Sequence, residues 1–304
     1  MSCVPATDGG GARLDPADWA TLSPSDVGDR SNACVDILSS LLTAFRRVPG
    51  RVLLTVRQAL RRCRNWLSHA YSLLLLRFQG RLSPRAREFS NIYYRRSWGP
   101  GFGEHSRFFS GGGSHTPALT EPYVAAVLQL LGQQPRTEVV DIGCGDFAIG
   151  RPIAPACQRY LGVDIVPAPM ADLRRRFSSE RVSFVSLDAV SESIPEGNIC
   201  LIRQVLQHLS NADIVKVLEK LSRFDVLVIT EHLPNDPESA DFNRDIESGA
   251  GIRLGLNSGV YVDRPPFRLS GYSLTVALEL PVMYGDEVEA QGVLRTSVLR
   301  RNSG

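Results

Sequence analysis

The sequence predicts an α/β fold on a mostly parallel sheet, and three observations carry that expectation. Short β-rich runs alternate with helical stretches through the C-terminal two-thirds: Glu138–Ile142, Tyr160–Asp164, Val182–Leu187, Ile199–Gln204 and Val226–Thr230. Strands separated in this way by helices lie parallel, with helices on both faces. The first run breaks directly into a glycine loop, Gly143-Cys144-Gly145, and aspartates stand at the ends of successive runs. A last pair of runs, Leu278–Met283 and Gly292–Leu299, is expected to close one edge as an antiparallel addition.

Bulk properties limit what surrounds this sheet. A chain of 304 residues holds one large domain with an appendage, and 43% hydrophobic with 22% charged residues is the composition of an ordinary water-soluble protein. The net charge of +2 hides an asymmetry: thirteen arginines lie between Arg46 and Arg96 against one acid, Glu88. Six scattered cysteines form no CxxC pair, and no signal-peptide pattern opens the chain. Free thiols in a cytoplasmic protein are expected. Its longest near-apolar stretch, Trp66 to Leu76, is too short for a bilayer span of about 18 residues.

Residues 1–30 are rich in Gly, Ala, Asp, Ser and Pro without periodicity, and read as a flexible tail. Residues 31–89 read as a basic helical extension with amphipathic helices over 33–47 and 51–78, broken at Pro49-Gly50. Such helices pack on their own domain, meet a protein partner, or lie peripherally on the inner face of a membrane. Nucleic acid is not expected as a partner, since the arginines are not interleaved with aromatics. The catalytic domain is expected over 90–304. Thr120 is a candidate N-cap for a helix to Leu131, with Val124, Val127, Leu128 and Leu131 on its apolar face.

The chemistry gathers around the first run. Glycines at 143 and 145 let the backbone turn sharply and approach a ligand without a Cβ in the way. Ligands of open α/β sheets bind at the carboxyl ends of the strands. Asp164, 23 residues after Asp141, can there accept from both hydroxyls of an adenosine ribose, and Asp188, another 24 residues on, from an adenine amino group. Cys144, Ile165 and Ala189 flank these positions and join the expected cofactor contacts. Gly143-x-Gly145-x-x-Ala148 also satisfies the dinucleotide fingerprint, so a nicotinamide site is a rival reading. Two features favour a sulfonium nucleoside over it. Asp141 suits the amino group of a methionine moiety, and Asp188 has no role in a nicotinamide site. A non-enzymatic scaffold is a third reading, against which the intact Gly143, Gly145, Asp164 and Asp188 argue.

Residues 90–304 resemble a bacterial family of class I, Rossmann-like methyltransferases. The likeness is carried by Asn91-Ile92-Tyr93, Ser110-Gly111-Gly112-Gly113-Ser114, Asp141 through Phe147, Gly162-Val163-Asp164-Ile165-Val166-Pro167 and Arg203 through Ser210. It continues in Ser258-Gly259-Val260, Asp263-Arg264-Pro265-Pro266-Phe267 and Leu294-Arg295-Thr296. The resemblance implies a three-layer fold with a seven-stranded sheet and S-adenosyl-L-methionine as cofactor, and leaves the acceptor open. Two positions depart from the pattern. Phe147 stands where a third glycine is usual, and Asn198 where an acid is common.

Methyl transfer to a hydroxyl gains from a general base, and His208 and His232 follow the fourth and fifth runs where a base is needed. Arg203 and Gln204 end the fourth run and are expected against the amino-acid portion of the cofactor, with the Ser110–Ser114 loop as a lid or carboxylate-binding segment. His69, His105 and His115 have no partner at ligand spacing, so no metal is expected. The segment from Asp241 to Phe267, with Asn243, Asp245, Arg253, Tyr261 and Arg264, suggests a polar acceptor pocket, fitting a small molecule or glycan.

Overall fold

Five parallel strands form the centre of the sheet: β1 (Glu138–Ile142), β2 (Arg159–Asp164), β3 (Val182–Ser186), β4 (Ile199–Arg203) and β5 (Val226–Leu233). Two longer strands, β8 (Tyr272–Pro281) and β9 (Val293–Arg301), complete it on one side. The order is β3-β2-β1-β4-β5-β9-β8, with β9 antiparallel to both of its neighbours. This is the seven-stranded, mostly parallel sheet that the resemblance implies. Strand order reverses at β1, which lies between β2 and β4, so the crevice of the fold opens at their carboxyl ends. The computed structural model describes residues 82–105, 107–237, 240–267, 269–283 and 291–302, and the expected tail and the helices 33–47 and 51–78 lie outside them.

Every residue of β4 and β5 is buried, as a strand covered on both faces requires. Side chains alternate between two apolar layers. Val140, Ile142, Cys200, Ile202, Leu227 and Ile229 pack with Ile214 and Val217 of helix α5 (Asn211–Glu219) and with Phe89 and Ile92 of helix α1 (Pro84–Arg95). Val139, Leu201 and Val228 face the other way, onto Val127 and Leu131 of α2 (Pro117–Gly132) and Met170 and Leu173 of α4 (Pro167–Phe177). A single turn, α3 (Gly150–Ile153), follows the glycine loop. Helices on both faces give the three layers.

Several elements differ from the sequence expectation. Helix α1 spans the expected domain boundary at 89/90 and packs into the core; Ser83 caps it by accepting from the Ala86 amide, and Pro84 opens its first turn. Helix α2 starts at Pro117 after Thr116, which places Thr120 inside the helix rather than at its cap. Strand β5 runs on to Leu233, so Glu231 and His232 are strand residues, and β8 begins six residues before the expected Leu278. A two-residue parallel ribbon, β6 (Asp241–Phe242) with β7 (Ser258–Gly259), lies between β5 and β8 in the chain. Among the described residues no helix is long and apolar enough to cross a membrane.

Phe147 and Asn198 turn out to serve the fold. Phe147 takes a positive φ of 67° and buries its ring against Tyr160, Phe177 and Phe184, in the core rather than beneath a ligand. Asn198 accepts from the Glu138 amide and donates to the Arg136 carbonyl, both at 2.8 Å, which ties the starts of β1 and β4 together. It sits at the end of the sheet opposite the crevice.

Candidate functional site

The tips of β1, β2 and β4 enclose a crevice of about 390 Å³, within the span of small-molecule sites, roughly 300–1,000 Å³. Its floor is the glycine loop. Gly143 and Gly145 have φ of +73° and +55°, a region that side chains other than glycine rarely adopt. A Cβ at Gly143 would lie 2.2 Å from Cγ2 of Val205, and one at Gly145 would lie 2.2 Å from Oγ of Ser110. Both positions therefore need the bare backbone, which lets Val205 and Ser110 pack directly on the loop that floors the crevice.

The three aspartates of the sequence reading have different fates. Asp164 lines the crevice, and its carboxylate accepts from the amides of Gly145 (3.1 Å) and Val166 (2.9 Å). Burial pushes its carboxyl up to about 6 against the pull of those amides. Asp188 also lines the crevice, but the protein already uses both of its oxygens. Val190 donates to one at 3.0 Å, while Arg85 and Ser191 donate to the other at 2.5 and 2.9 Å. These three donors take three of the roughly four acceptor positions of a carboxylate, so capacity for one further donor, such as an adenine amino group, remains at Asp188. Asp141 is not among the lining residues; the hydroxyl of Tyr160, from the adjacent strand, donates to it, and burial raises it to about 6. Cys144 likewise turns into the core, with its thiol against the sulfur of Met170. The cofactor contacts assigned to these two side chains are thus corrected: Tyr160 of the adjacent strand takes Asp141, and Met170 of helix α4 takes Cys144. Ile165 and Ala189 line the crevice.

Arg203 reaches across the tip of β4. One of its terminal nitrogens donates to Oε1 of Gln204 and the other to the Gly113 carbonyl, each at 2.8 Å, and its guanidinium lies 5.1 Å from the ring centre of Tyr123. Its Nε is buried and, among the described residues, has no hydrogen-bond partner. A buried charged group left incomplete in this way suits an anionic ligand group such as a carboxylate. The Gly111–Gly113 stretch runs so close to Gln204 that a Cβ at Gly113 would meet Oε1 of that residue at 2.4 Å. The Ser110–Ser114 loop thereby forms one wall of the crevice.

Both candidate bases line the same space, with unequal freedom. Nδ1–H of His208 donates to the Gly251 carbonyl at 3.1 Å, and its Nε2 accepts from the Gln207 side-chain amide at 3.3 Å. Burial lowers its pKa to about 4. His232 donates from Nε2–H to the Gln291 carbonyl at 3.1 Å, which fixes the tautomer and leaves the lone pair on Nδ1. Burial lowers its pKa too, so the ring is neutral at physiological pH. Its neighbour Glu231 is only 3% exposed and accepts from the Leu206 and Gln207 amides; burial raises it to about 8.

The polar residues expected to shape the acceptor pocket do other work. Asn243 holds the carbonyls of Tyr261, Arg264 and Pro265, and the 1%-exposed Arg253 donates to the carbonyls of Arg244, Gln207 and Leu209 and to Asn211. From that segment only Ala250 and Ile252 line the crevice. Instead, helix α1 and the turn after it supply Arg85, Phe89, Tyr93 and Trp98, none of which the sequence reading assigned to the site. Trp98 packs on His208 at 5.5 Å between ring centres, and its Nε1 is buried without a partner among the described residues. His105 and His115, read as lacking partners, converge on Asp146 beside the glycine loop.

No curated protein matches the sequence. Similar folds include magnesium protoporphyrin IX methyltransferase from Synechocystis PCC 6803 with bound S-adenosylmethionine, at 15% identity and a TM-score of 0.46 over 72% of this chain and 98% of that one. The N-methyltransferase NodS from Bradyrhizobium japonicum WM9, with S-adenosylhomocysteine, is 15% identical at a TM-score of 0.46 over 62% of this chain and 89% of its own. Human N-acetylserotonin methyltransferase is 14% identical at 0.45 over 73% and 61%. Likenesses this distant say nothing about the acceptor. Residues 139–225 match the family model of a methyltransferase domain, which favours that reading over the dinucleotide one. The matched stretch runs from β1 through β4, the strands at whose carboxyl ends the crevice opens, and over that stretch the chain is similar to methyltransferase domains.

Proposed function

We propose that the acceptor is a polar, hydroxyl-bearing small molecule, with a sugar ring as the leading class, and that its oxygen receives the methyl group. The observation that carries this reading is His232, a neutral imidazole on the crevice wall whose Gln291 hydrogen bond leaves Nδ1 free to take a proton. An amine acceptor attacks with its own lone pair, whereas a hydroxyl benefits from a base. Trp98 supports the sugar: it lines the crevice with an indole, a flat apolar surface of the kind that packs on a sugar ring.

In this reading the cofactor supplies the electrophilic methyl, and the protein orients it and excludes water. Asp164 accepts from the ribose hydroxyls, and Gly143 and Gly145 give the nucleoside room. Arg203 completes its hydrogen bonding on the methionine carboxylate, beside Gln204. Ile165 and Ala189 pack on the base, while Asp188 acts through Arg85 by holding helix α1 over the crevice. His208, with both ring nitrogens engaged, orients the Gln207 side chain and supports Trp98, and His232 removes the hydroxyl proton.

A methyl-transfer assay with labelled cofactor tests the reading against three acceptor panels: glycans, small phenols and amines. Turnover on sugars that disappears in His232→Gln is expected. Turnover confined to apolar phenols, or to amines with His232→Gln unimpaired, would overturn it.

A further inference from the structure

We infer that His105, His115 and Asp146 form a binding site for one borderline divalent transition-metal ion, with Zn²⁺ the best match, outside the methyl-transfer crevice. Nε2 of His115 and Nδ1 of His105 lie 2.7 and 3.3 Å from the same carboxylate oxygen of Asp146. The three candidate ligand atoms all fall within 4.8 Å of one another. Tetrahedral zinc with bonds of about 2.0–2.1 Å holds neighbouring ligand atoms roughly 3.4 Å apart. The His105–Asp146 separation already matches that edge. The His115–Asp146 edge, at 2.7 Å, needs to open by about 0.7 Å.

The surroundings are those of a site. Asp146 and His115 are nearly buried, with side chains 5% and 7% exposed, and His105 at 20% leaves an approach from solvent. The His115 ring stacks on Phe109 at 4.6 Å and meets Phe102 edge-on at 5.4 Å, an apolar collar that strengthens charge interactions inside it. The carboxylate is oriented independently of the imidazoles, since the amides of Ser110 and Ala148 each donate to one of its oxygens at 3.2 Å. Local backbone geometry brings His105 in. Gly99, Gly101 and Gly103 all have positive φ, and a Cβ at Gly101 would lie 2.4 Å from the His105 carbonyl.

Two imidazoles and one carboxylate select a borderline ion such as zinc over magnesium, which prefers an all-oxygen shell. On binding, each imidazole offers the lone pair of the nitrogen that faces Asp146 and carries its proton on the other ring nitrogen, and the metal sits between the three ligands. A fourth position stays open to water. The ion would clasp the 101–115 segment to the glycine loop and so brace the crevice wall at Ser110, whose hydroxyl accepts from the Asp146 amide at 2.8 Å.

The test titrates the full-length, metal-stripped protein by calorimetry with Zn²⁺, Co²⁺ and Mg²⁺ in separate arms. One equivalent of Zn²⁺ is expected, bound roughly 100-fold more tightly than Mg²⁺. The His105→Ala and His115→Gln variants should each weaken it at least about tenfold. The Co²⁺ form should show ligand-field absorption without a thiolate charge-transfer band. Absence of Zn²⁺ binding, equal binding by both variants, or a thiolate band would overturn the site. If His115→Gln does not fold, the more exposed His105→Ala decides alone, with Zn²⁺-induced protection from thermal unfolding as its second readout. Cofactor affinity is not the readout, so failure here leaves the acceptor proposal standing.

Discussion

The two halves of the crevice rim spend their polar groups in opposite ways. At the tips of β1 to β3 the carboxylates are locked: Asp141 by Tyr160, Asp164 by two backbone amides, Asp188 by Arg85, Ser191 and Val190. At the tips of β4 and β5, bonding capacity is left over on Nε of Arg203 and Nδ1 of His232, and on Nε1 of Trp98 in the turn after α1. The first half resembles a mould that is fully set before any ligand arrives. The second is wired for orientation yet keeps open valences where chemistry is needed. Pre-organisation of this kind lowers the ordering cost of binding on the cofactor side, and retained donors and acceptors on the other side are what a reaction can use.

That contrast is breakable by substitution. The largest effect is expected at His232, where Gln should lower kcat by about 10²- to 10⁴-fold, the usual contribution of a general base. Affinity for S-adenosylhomocysteine, read by calorimetry, should stay within about threefold, because the cofactor half is untouched. A comparable loss of cofactor affinity would erase the division between the two halves.

Gly145→Val attacks the mould itself. Its φ of +55° and the 2.2 Å approach to Ser110 leave no room for a side chain, and S-adenosylhomocysteine binding should fall by about 100-fold, given strain of roughly 1–3 kcal/mol plus the clash. Circular dichroism should show the sheet intact.

Asp164→Asn should cost about 10- to 100-fold in cofactor affinity, the span of a charge-assisted hydrogen bond. Its pH dependence sharpens the same point. Burial raises this carboxyl from the ordinary carboxylate range to about 6, and in the proposed reading the ionised form is the one that would accept from ribose hydroxyls. Cofactor affinity should therefore rise as pH climbs through about 6 and level off above it. In Asp164→Asn the step should shrink, with any remainder owed to Asp141, also raised to about 6.

Smallest is Arg85→Ala. The Arg85 guanidinium bridges Asp188 and Asp213, the latter through Nε at 3.2 Å and Nη2 at 3.0 Å, and so fastens α1 beside the crevice. Its loss should speed cofactor release by a few-fold, as a pair still partly open to solvent contributes only about 1 kcal/mol. Stopped-flow displacement of S-adenosylhomocysteine measures it. An unchanged release rate would mean that α1 is a wall rather than a cover.

The sheet was legible because β1, β4 and β5 carry short apolar runs, Val139–Val140, Ile199–Ile202 and Val226–Ile229, each followed by a polar residue, Asp141, Arg203 or Thr230, a pattern that survives without tertiary information. Half of β8 was not, since its residues alternate between partly covered and exposed positions and its polar residues mask the run. Helix α1 escaped because arginines, tyrosines and serine dilute its apolar face, although Ser83-Pro84 is a start signal in the sequence. At the site, glycines and strand-end acids announced themselves by position along the chain. Their hydrogen-bond partners did not: Arg85 lies 103 residues from Asp188, and His115 lies 31 from Asp146. Nothing local marks such meetings. The polar residues of 241–267 misled for the same reason, since composition does not say which carbonyls a side chain will be spent on.

Arg253 carries a practical consequence. Its guanidinium plugs the joint between the 244–257 stretch and the backbone at 206–211, gripping both at once from a position sealed off from solvent. Anyone grafting new acceptor specificity onto this scaffold would have to transplant the two stretches as one cassette. Swapping either alone strands a cation in a dry socket, and the chimera should precipitate before its selectivity could be measured.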